Sequence, residues 1–238
     1  MKKLRIFSIC LALLPCIRPG NKLQMNNEFL HMEADAGKTF LALGDSYTIG
    51  ESVDISERFP VQTVNMLTKE NIHFNYPDII AVTGWTTADL IHALDVRKPK
   101  NNYDIVTLLI GVNNQYQHKN IDNYKAEFSE LLDRAILYAG SQRQHVFVLS
   151  IPDYSVTPFA ADMDTAEISR QIDEFNTVNN AISKKAGVHY LDITPISRQA
   201  KYDRRLIAGD GLHPSAEQYE LWSKLLASAI KEVFQRGV

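Results

Sequence analysis

Apolar residues along the chain form short continuous runs, and the stretches between these runs carry apolar residues at helical spacing. Five runs have the length and the β-branched or aromatic content of strands that are buried on both faces. They cover residues 39–43, 79–82, 105–110, 146–151 and 189–193. The pattern predicts a five-stranded sheet.

Three of the intervening stretches place their apolar side chains on one helical face. The faces comprise Tyr124, Phe128, Leu131, Leu132 and Ala135; Ile168, Ile172, Phe175, Val178 and Ile182; and Tyr219, Trp222, Leu226 and Val233. Ser215 and Gln218 have the spacing of a capping box at the start of the third helix. Because helices alternate with strands, we expect a single α/β domain with a parallel sheet.

The amino-terminal segment differs from the rest of the chain. Lys2, Lys3 and Arg5 precede an apolar run over residues 6–17, and no acidic residue occurs before Glu28. This arrangement is typical of a bacterial export signal. A membrane-spanning helix needs about 20 apolar residues, and a buried first helix would not run directly into polar residues, so both alternatives fit less well. We therefore predict export to the periplasm or to the outside of the cell.

The chain divides into a signal over residues 1–20, a polar tether over residues 21–38 and one folded domain over residues 39–238. Both cysteines lie in the signal, so we expect no disulfide and no cysteine metal site in the domain. Cys16 stands where a bacterial lipoprotein carries its lipid, although Pro15 replaces the usual small residue before it. The sequence leaves a lipid anchor at Cys16 and simple cleavage of the signal as equal alternatives.

The composition excludes several classes of partner. The 238 residues are 45% hydrophobic and 22% charged, with a formal net charge of −3. Such a chain offers no basic surface to a polyanion, so we expect no nucleic-acid partner. It also contains no His-Glu-x-x-His helix, no Gly-x-Gly-x-x-Gly turn and no P-loop, so we expect no metal and no nucleotide cofactor. Oligomeric state is not encoded in any pattern that we can interpret.

Two polar segments carry the residue types of a hydrolytic site. Ser46 comes directly after the first predicted strand, where Gly44 allows a tight exit that presents the hydroxyl. Asp210 precedes His213 by three residues, in a loop that leads into the last predicted helix. A serine hydroxyl becomes a strong nucleophile when a neutral imidazole takes its proton, and a carboxylate stabilises the resulting imidazolium. These three side chains supply that chemistry.

Four short motifs together resemble the sequence blocks of the SGNH (GDSL-type) hydrolase family. They are Gly44-Asp45-Ser46, Gly84, Gly111-Val112-Asn113-Asn114 and Asp210-Gly211-Leu212-His213-Pro214, in the order of the family and within residues 39–233. Each motif is weak alone, but four in this order, each at a strand end or before a helix, form a specific signal. The resemblance implies a flavodoxin-like three-layer α/β/α sandwich with a five-stranded parallel sheet.

The resemblance also assigns roles, with Ser46 as nucleophile, His213 as base and Asp210 as the residue that orients His213. It implies an oxyanion hole made of the Ser46 and Gly84 backbone N–H groups and the Asn113 side-chain amide.

Asn114 departs from the aspartate that is common at its position in the family, which removes a charge beside the site. From the residues alone, Gly84 could equally be an ordinary loop glycine. Asn113 and Asn114 could likewise form a simple turn.

We expect a serine esterase that hydrolyses an acyl or acetyl ester of a lipid, a glycan or a small molecule through a serine-bound acyl intermediate. The alternatives are a noncatalytic glycan-binding module, or a thioesterase or lysophospholipase of the same family. Residues 150–159 resemble a loop that follows the fourth strand in many bacterial members. We interpret this loop as a wall of the acyl or leaving-group pocket, or else as a proline-stiffened connector with a buried Phe159. Membrane contact is expected only through an anchor at Cys16.

Overall fold

Five parallel strands form the central sheet of the computed structural model, which describes residues 37–236. They are β1 (Phe40–Gly44), β2 (Asp78–Ala81), β3 (Ile105–Leu109), β4 (Val146–Leu149) and β5 (His189–Leu191), in the order β2-β1-β3-β4-β5. All five predicted strands are confirmed, with ends that differ by at most two residues. The predicted signal, Cys16 and the tether as far as residue 36 lie outside the described residues.

Eight α-helices lie within the described residues. They are α1 (Ser46–Ile49), α2 (Phe59–Lys69), α3 (Thr87–Arg97), α4 (Val112–Tyr116), α5 (Ile121–Tyr138), α6 (Thr165–Ala186), α7 (Thr194–Arg198) and α8 (Ala216–Arg236). Helices α2 and α8 pack against each other in one layer, and α5 contacts both α3 and α6 in the other. The sandwich of helices and parallel sheet confirms the predicted fold class. None of the helices in this part of the chain has the length and apolar character required to span a membrane.

The strand order creates a crevice at the carboxyl ends of β1 and β3. Strands β2 and β3 lie on opposite sides of β1. The connection from β1 leads to β2 on one side, and the connection from β3 leads to β4 on the other. In open α/β sheets the loops diverge at such a point and leave room for a ligand. Gly44 at the end of β1 is in register with Leu109 at the end of β3. The residues that follow these two strands therefore emerge side by side.

Helix α6 buries polar side chains that the apolar pattern did not predict. Val178 and Ile182 are only half-buried, whereas Asn176 and Asn179 are buried. The Asn176 amide accepts the Ile151 N–H at 2.7 Å and donates to the Ile151 carbonyl at 2.9 Å. The predicted apolar face is confirmed at the buried Ile168, Ile172 and Phe175, and the buried asparagines beside it supply partners for the backbone groups of the loop after β4.

The predicted capping box at the start of α8 forms only in part. Ser215 Oγ accepts the Gln218 N–H at 3.3 Å, but the Gln218 side chain donates instead to the Leu206 carbonyl at 2.7 Å. This bond ties the first turn of α8 to the loop that carries Asp210. The predicted apolar face is confirmed at the fully buried Tyr219, Trp222 and Leu226.

Candidate active site

A cleft of about 140 Å³ opens at the carboxyl ends of the strands, where the loops after β1, β2, β3 and β4 meet the loop before α8. Its lining comprises Ser46, Tyr47, Thr83, Gly84, Val112, Asn113, Tyr116, Tyr154, Phe159, Leu212 and His213. Four of the five predicted site residues thus line one cleft, although they come from four separate segments of the chain. The fifth, Asp210, contacts His213 from outside this lining.

Ser46 begins α1 and is separated from Gly44, the last residue of β1, by Asp45 alone. Gly44 is required by close packing, because a Cβ at this position would lie 2.0 Å from Thr48 Oγ1 and 2.4 Å from the Leu109 carbonyl oxygen. This contact lets α1 start against the end of β3. The Ser46 N–H lies in the first turn of a helix, where backbone N–H groups have no intrahelical acceptor. It is therefore available to a negatively charged atom in the cleft.

Asp45 caps α1 and is buried, with the Tyr47 N–H donating to its carboxylate at 3.0 Å. Burial raises the pKa of the Asp45 carboxyl to about 7, and the backbone hydrogen bonds offset only part of that effect. A buried carboxyl that lies next to the nucleophile is therefore half-protonated near neutral pH.

His213 and Asp210 form a hydrogen-bonded pair. The His213 Nδ1 to Asp210 Oδ2 distance is 2.6 Å, and the other carboxylate oxygen accepts the N–H groups of Leu212 at 2.9 Å and His213 at 3.0 Å. Burial alone would raise the pKa of the Asp210 carboxyl, but the hydrogen bonds from His213, Leu212 and Ser52 hold it well below its usual range. An ionised Asp210 can only accept a hydrogen bond, so the proton of the neutral imidazole lies on Nδ1 and Nε2 is unprotonated.

The His213 ring is buried and packs against the Tyr47 ring, with centroids 5.5 Å apart in an edge-to-face arrangement. Tyr47 in turn contacts the fully buried Trp222 at 6.3 Å. Among the described residues no hydrogen bond joins Ser46 Oγ to His213, although both side chains line the cleft. Such bonds are often long without substrate and tighten when it binds.

Gly84 occupies the third position of a turn that the Trp85 N–H closes onto the Val82 carbonyl at 3.3 Å. Its φ of +85° is one that glycine adopts without strain, and a Cβ there would meet no atom within 4 Å. The glycine is thus a turn residue that also lines the cleft. Its role as an oxyanion donor stays a prediction.

Asn113 lies in the first turn of α4, so the alternative of a simple left-handed turn is wrong. Its Nδ2 donates to the Trp85 carbonyl at 2.9 Å, which fixes the amide and leaves a second N–H on the same nitrogen. Gly111 makes this placement possible, because its φ is +131° and a Cβ would lie 2.7 Å from the Tyr124 ring.

Asn114 is buried and does not face the cleft. Its Oδ1 accepts the Thr87 N–H at 3.0 Å, and its Nδ2 donates to Thr87 Oγ1 at 2.6 Å. The Thr87 hydroxyl donates to the Glu127 carboxylate. Asn114, which stands where the family commonly has aspartate, therefore connects α4 to the first turn of α3 and, through Thr87, to α5. The carboxylate in this group of contacts belongs to Glu127.

One wall of the cleft is aromatic. Tyr116, Tyr154 and Phe159 contact one another with ring centroids 6.0 to 6.3 Å apart. Two of these residues belong to the loop that was interpreted as a pocket wall, and Phe159 is 40% exposed, so the alternative of a buried connector residue is wrong.

Sequence reasoning missed Tyr47, Ser52 and Tyr116. Tyr116 could have been found, because it lies one helical turn after Asn113 on the same face of α4. No group of three or more His, Cys, Asp or Glu side chains in residues 37–236 is arranged to hold a metal ion.

Comparisons with known proteins agree with this architecture. Residues 42–221 match the family model described as GDSL-like Lipase/Acylhydrolase family. No match was found among curated proteins.

Among solved structures, the lipase/acylhydrolase from Enterococcus faecalis is 21% identical, with a TM-score of 0.61 over 82% of this chain and 96% of that one. Axe2, an acetylxylan esterase from Geobacillus stearothermophilus, is 16% identical, with a TM-score of 0.61 over 82% and 94%. The psychrotrophic esterase EstA from Pseudoalteromonas sp., in a structure inhibited by monoethylphosphonate, is 14% identical, with a TM-score of 0.57 over 83% and 99%. At these identities the structural matches show a shared fold. The chain belongs to the GDSL-like lipase/acylhydrolase family and is a serine hydrolase that acts on ester bonds.

Proposed function

We propose that the protein hydrolyses carboxylic esters of short acyl groups through a Ser46-bound acyl intermediate. The observation that carries this proposal is that His213, paired with Asp210 at 2.6 Å, lines the same cleft as Ser46 and two further candidate oxyanion donors. A noncatalytic module would have no use for an imidazole whose tautomer is fixed in this way.

In the proposed first step, His213 Nε2 takes the Ser46 hydroxyl proton while Ser46 Oγ attacks the ester carbonyl carbon. The negative charge on the carbonyl oxygen is held by the N–H groups of Ser46 and Gly84 and by the second N–H of the Asn113 amide. His213 then gives its proton to the departing alkoxide. The imidazole then takes a proton from a water molecule, whose oxygen attacks the acyl carbon. The bond from that carbon to Ser46 Oγ breaks, the acid leaves, and His213 returns the proton to Ser46 Oγ.

The cleft supports a short acyl group. Its volume of about 140 Å³ resembles that of a cavity that accommodates benzene, which corresponds to about six carbons. Apart from the polar catalytic groups and Thr83, the lining is aliphatic and aromatic, with Val112 and Leu212 beside the aromatic wall. The acetylxylan esterase among the structural neighbours is consistent with acyl groups at the short end of this range.

A fluorophosphonate probe tests the mechanism, because it forms a covalent bond to an activated serine. We expect the adduct on Ser46, identified by mass spectrometry, and no adduct in Ser46→Ala or His213→Ala. Folded protein without an adduct would contradict the mechanism and favour a noncatalytic glycan-binding module.

A series of p-nitrophenyl esters tests the acyl group. We expect kcat/KM to peak between about two and six carbons. A steady rise to dodecanoyl would refute the short-acyl assignment while leaving the mechanism intact.

We also propose that residues 1–20 direct export. The mass of the mature amino terminus from cells tests this proposal, since a lipid-modified Cys16 and a plain cleaved end differ in mass. An intact Met1 would refute removal of a signal.

A further inference from the structure

Ser52 lies in the loop that follows α1 and donates its hydroxyl to Asp210 Oδ2 at 2.7 Å. This is the same carboxylate oxygen that contacts His213 Nδ1. We propose that Ser52 is a positioning residue that holds Asp210 in the orientation required for catalysis. The inference rests on the proposed function, because it gives Asp210 its role only if His213 is the base.

The backbone of the Ser52 loop is anchored to the nucleophile itself. The N–H groups of Gly50 and Glu51 both donate to the Ser46 carbonyl at 3.1 Å. Glu51 also accepts the hydroxyl of Thr83, which lines the cleft beside Gly84. The loop therefore connects the nucleophile, the oxyanion turn and, through Ser52, the acid of the triad.

Asp210 needs the hydrogen bond from Ser52 because its side chain is partly exposed to solvent. Its side chain is 30% exposed, whereas that of His213 is 9% exposed. Backbone N–H groups fix Oδ1. Without Ser52, Oδ2 would be held by His213 alone, at an edge that water can reach. A hydrogen bond to an ionised carboxylate is among the stronger hydrogen bonds in proteins, and this one restricts rotation of the carboxylate plane.

The backbone at Ser52 is strained, which is the second observation in favour of a role. Its φ is +65°, a left-handed conformation that residues other than glycine rarely adopt. A glycine would fit this backbone better. Ser141 shares this strain but lies away from the site, so the strain points to a role at Ser52 only together with its contact: within the described residues, the one hydrogen bond of the Ser52 side chain goes to Asp210.

Ser141 provides a matched control. It is also a serine with positive φ, at +64°, and is exposed like Ser52. It lies in the connection between α5 and β4, near the amino-terminal ends of the strands and opposite the cleft. Replacement by glycine relieves the same strain at both positions but removes a contact to the triad at only one of them.

The experiment compares Ser52→Gly, Ser52→Thr and Ser141→Gly by turnover of a short-chain ester and by thermal melting. We expect Ser52→Gly to melt at or above the wild-type temperature while its kcat falls about three- to tenfold with little change in KM. Ser52→Thr keeps the hydroxyl on a more strained backbone, so it should recover most of the lost kcat yet melt at a lower temperature. Ser141→Gly should melt at or above the wild-type temperature with unchanged kcat.

A purely structural role for Ser52 would move kcat and melting temperature together, which is the opposite of this crossed pattern. Wild-type kcat in Ser52→Gly would overturn the proposal, as would an equal loss in folded Ser52→Thr. Ser46→Ala serves as the reference in the same assay. If Ser46→Ala is inactive and Ser52→Gly is unaffected, only the Ser52 proposal fails; if Ser46→Ala retains turnover, the proposed function fails as well.

Discussion

The hydrogen bonds among Asn114, Thr87 and Glu127 have a defined direction, and this direction predicts the effect of substituting Asn114. A carboxylate only accepts hydrogen bonds, so the Thr87 hydroxyl proton points to Glu127. Thr87 Oγ1 must then accept the Asn114 N–H that lies 2.6 Å away. Asn114→Asp removes that N–H and places a second carboxylate against an oxygen whose proton is already committed to Glu127.

The cost follows from burial. Asn114 is 2% exposed. An aspartate oxygen facing Thr87 Oγ1 there would lose a hydrogen bond, and the carboxylate would be a buried charge without a counter-charge. We expect Asn114→Asp to lower the free energy of unfolding by about 3 kcal/mol, or the melting temperature by about 6 to 12 °C. Turnover should also fall, because Asn113 shares the first turn of α4 with the altered side chain.

A second substitution should reverse the loss. In Glu127→Gln the side-chain oxygen still accepts the Thr87 hydroxyl, so this variant alone should cost less than about 1 kcal/mol. In the double variant, the glutamine amide introduced at position 127 can donate to Thr87 Oγ1 and free the hydroxyl proton for the aspartate introduced at position 114. We therefore expect the double variant to be more stable than Asn114→Asp alone.

Urea denaturation of the wild type, both single variants and the double variant gives the coupling free energy between the two positions. We expect the double variant to exceed the additive sum by at least about 1 kcal/mol. Strict additivity would refute the proton arrangement, and wild-type stability in Asn114→Asp would refute the argument from burial.

Three further predictions concern the site. Asn113→Ala should lower kcat by about a hundredfold or more with the fold intact, and near wild-type turnover would remove Asn113 from the oxyanion hole. Asp210→Asn should lower kcat by up to about 10⁴-fold by favouring the wrong imidazole tautomer, and an unchanged rate would mean that another group orients His213. For Asp45, whose folded pKa is raised from 3.8 to about 7, the unfolded state ionises first as pH rises, so the wild type loses stability from about pH 4 to 7. Asp45→Asn lacks this loss and should gain up to about 4 kcal/mol relative to the wild type over that range; urea midpoints that differ by a constant amount from pH 4 to 8 would contradict it.

Much of the fold could be predicted because each strand of a covered parallel sheet is an apolar run that local pattern reveals. The parallel arrangement also explains why the predicted site residues meet. All strands have their carboxyl ends on the same side of the sheet, so the residues that follow β1, β2 and β3 lie near one another. The resemblance to the SGNH family predicted that Ser46, Gly84 and Asn113 belong to one site, and the common position of the strand ends is the physical reason that they can.

What could not be predicted depends on contacts between distant segments. Ser52 and Asp210 are separated by 158 positions, and Thr87 and Glu127 by 40, so nothing local marks either pair. The polar face of α6 was missed because its asparagines serve a loop from another part of the chain. Each of these contacts satisfies a polar group whose need exists only after the chain has folded.

Three of the four motif glycines are required for different reasons, and random mutagenesis should separate them. At Gly44 and Gly111 a side chain would collide with packed atoms, so most replacements should disappear from the soluble fraction of a variant library. At Gly84 a side chain would point into open space, and only the backbone conformation is penalised. Variants at Gly84 should therefore remain soluble and be eliminated only by a screen for activity, so that abundance selection and activity selection rank the same three glycines differently.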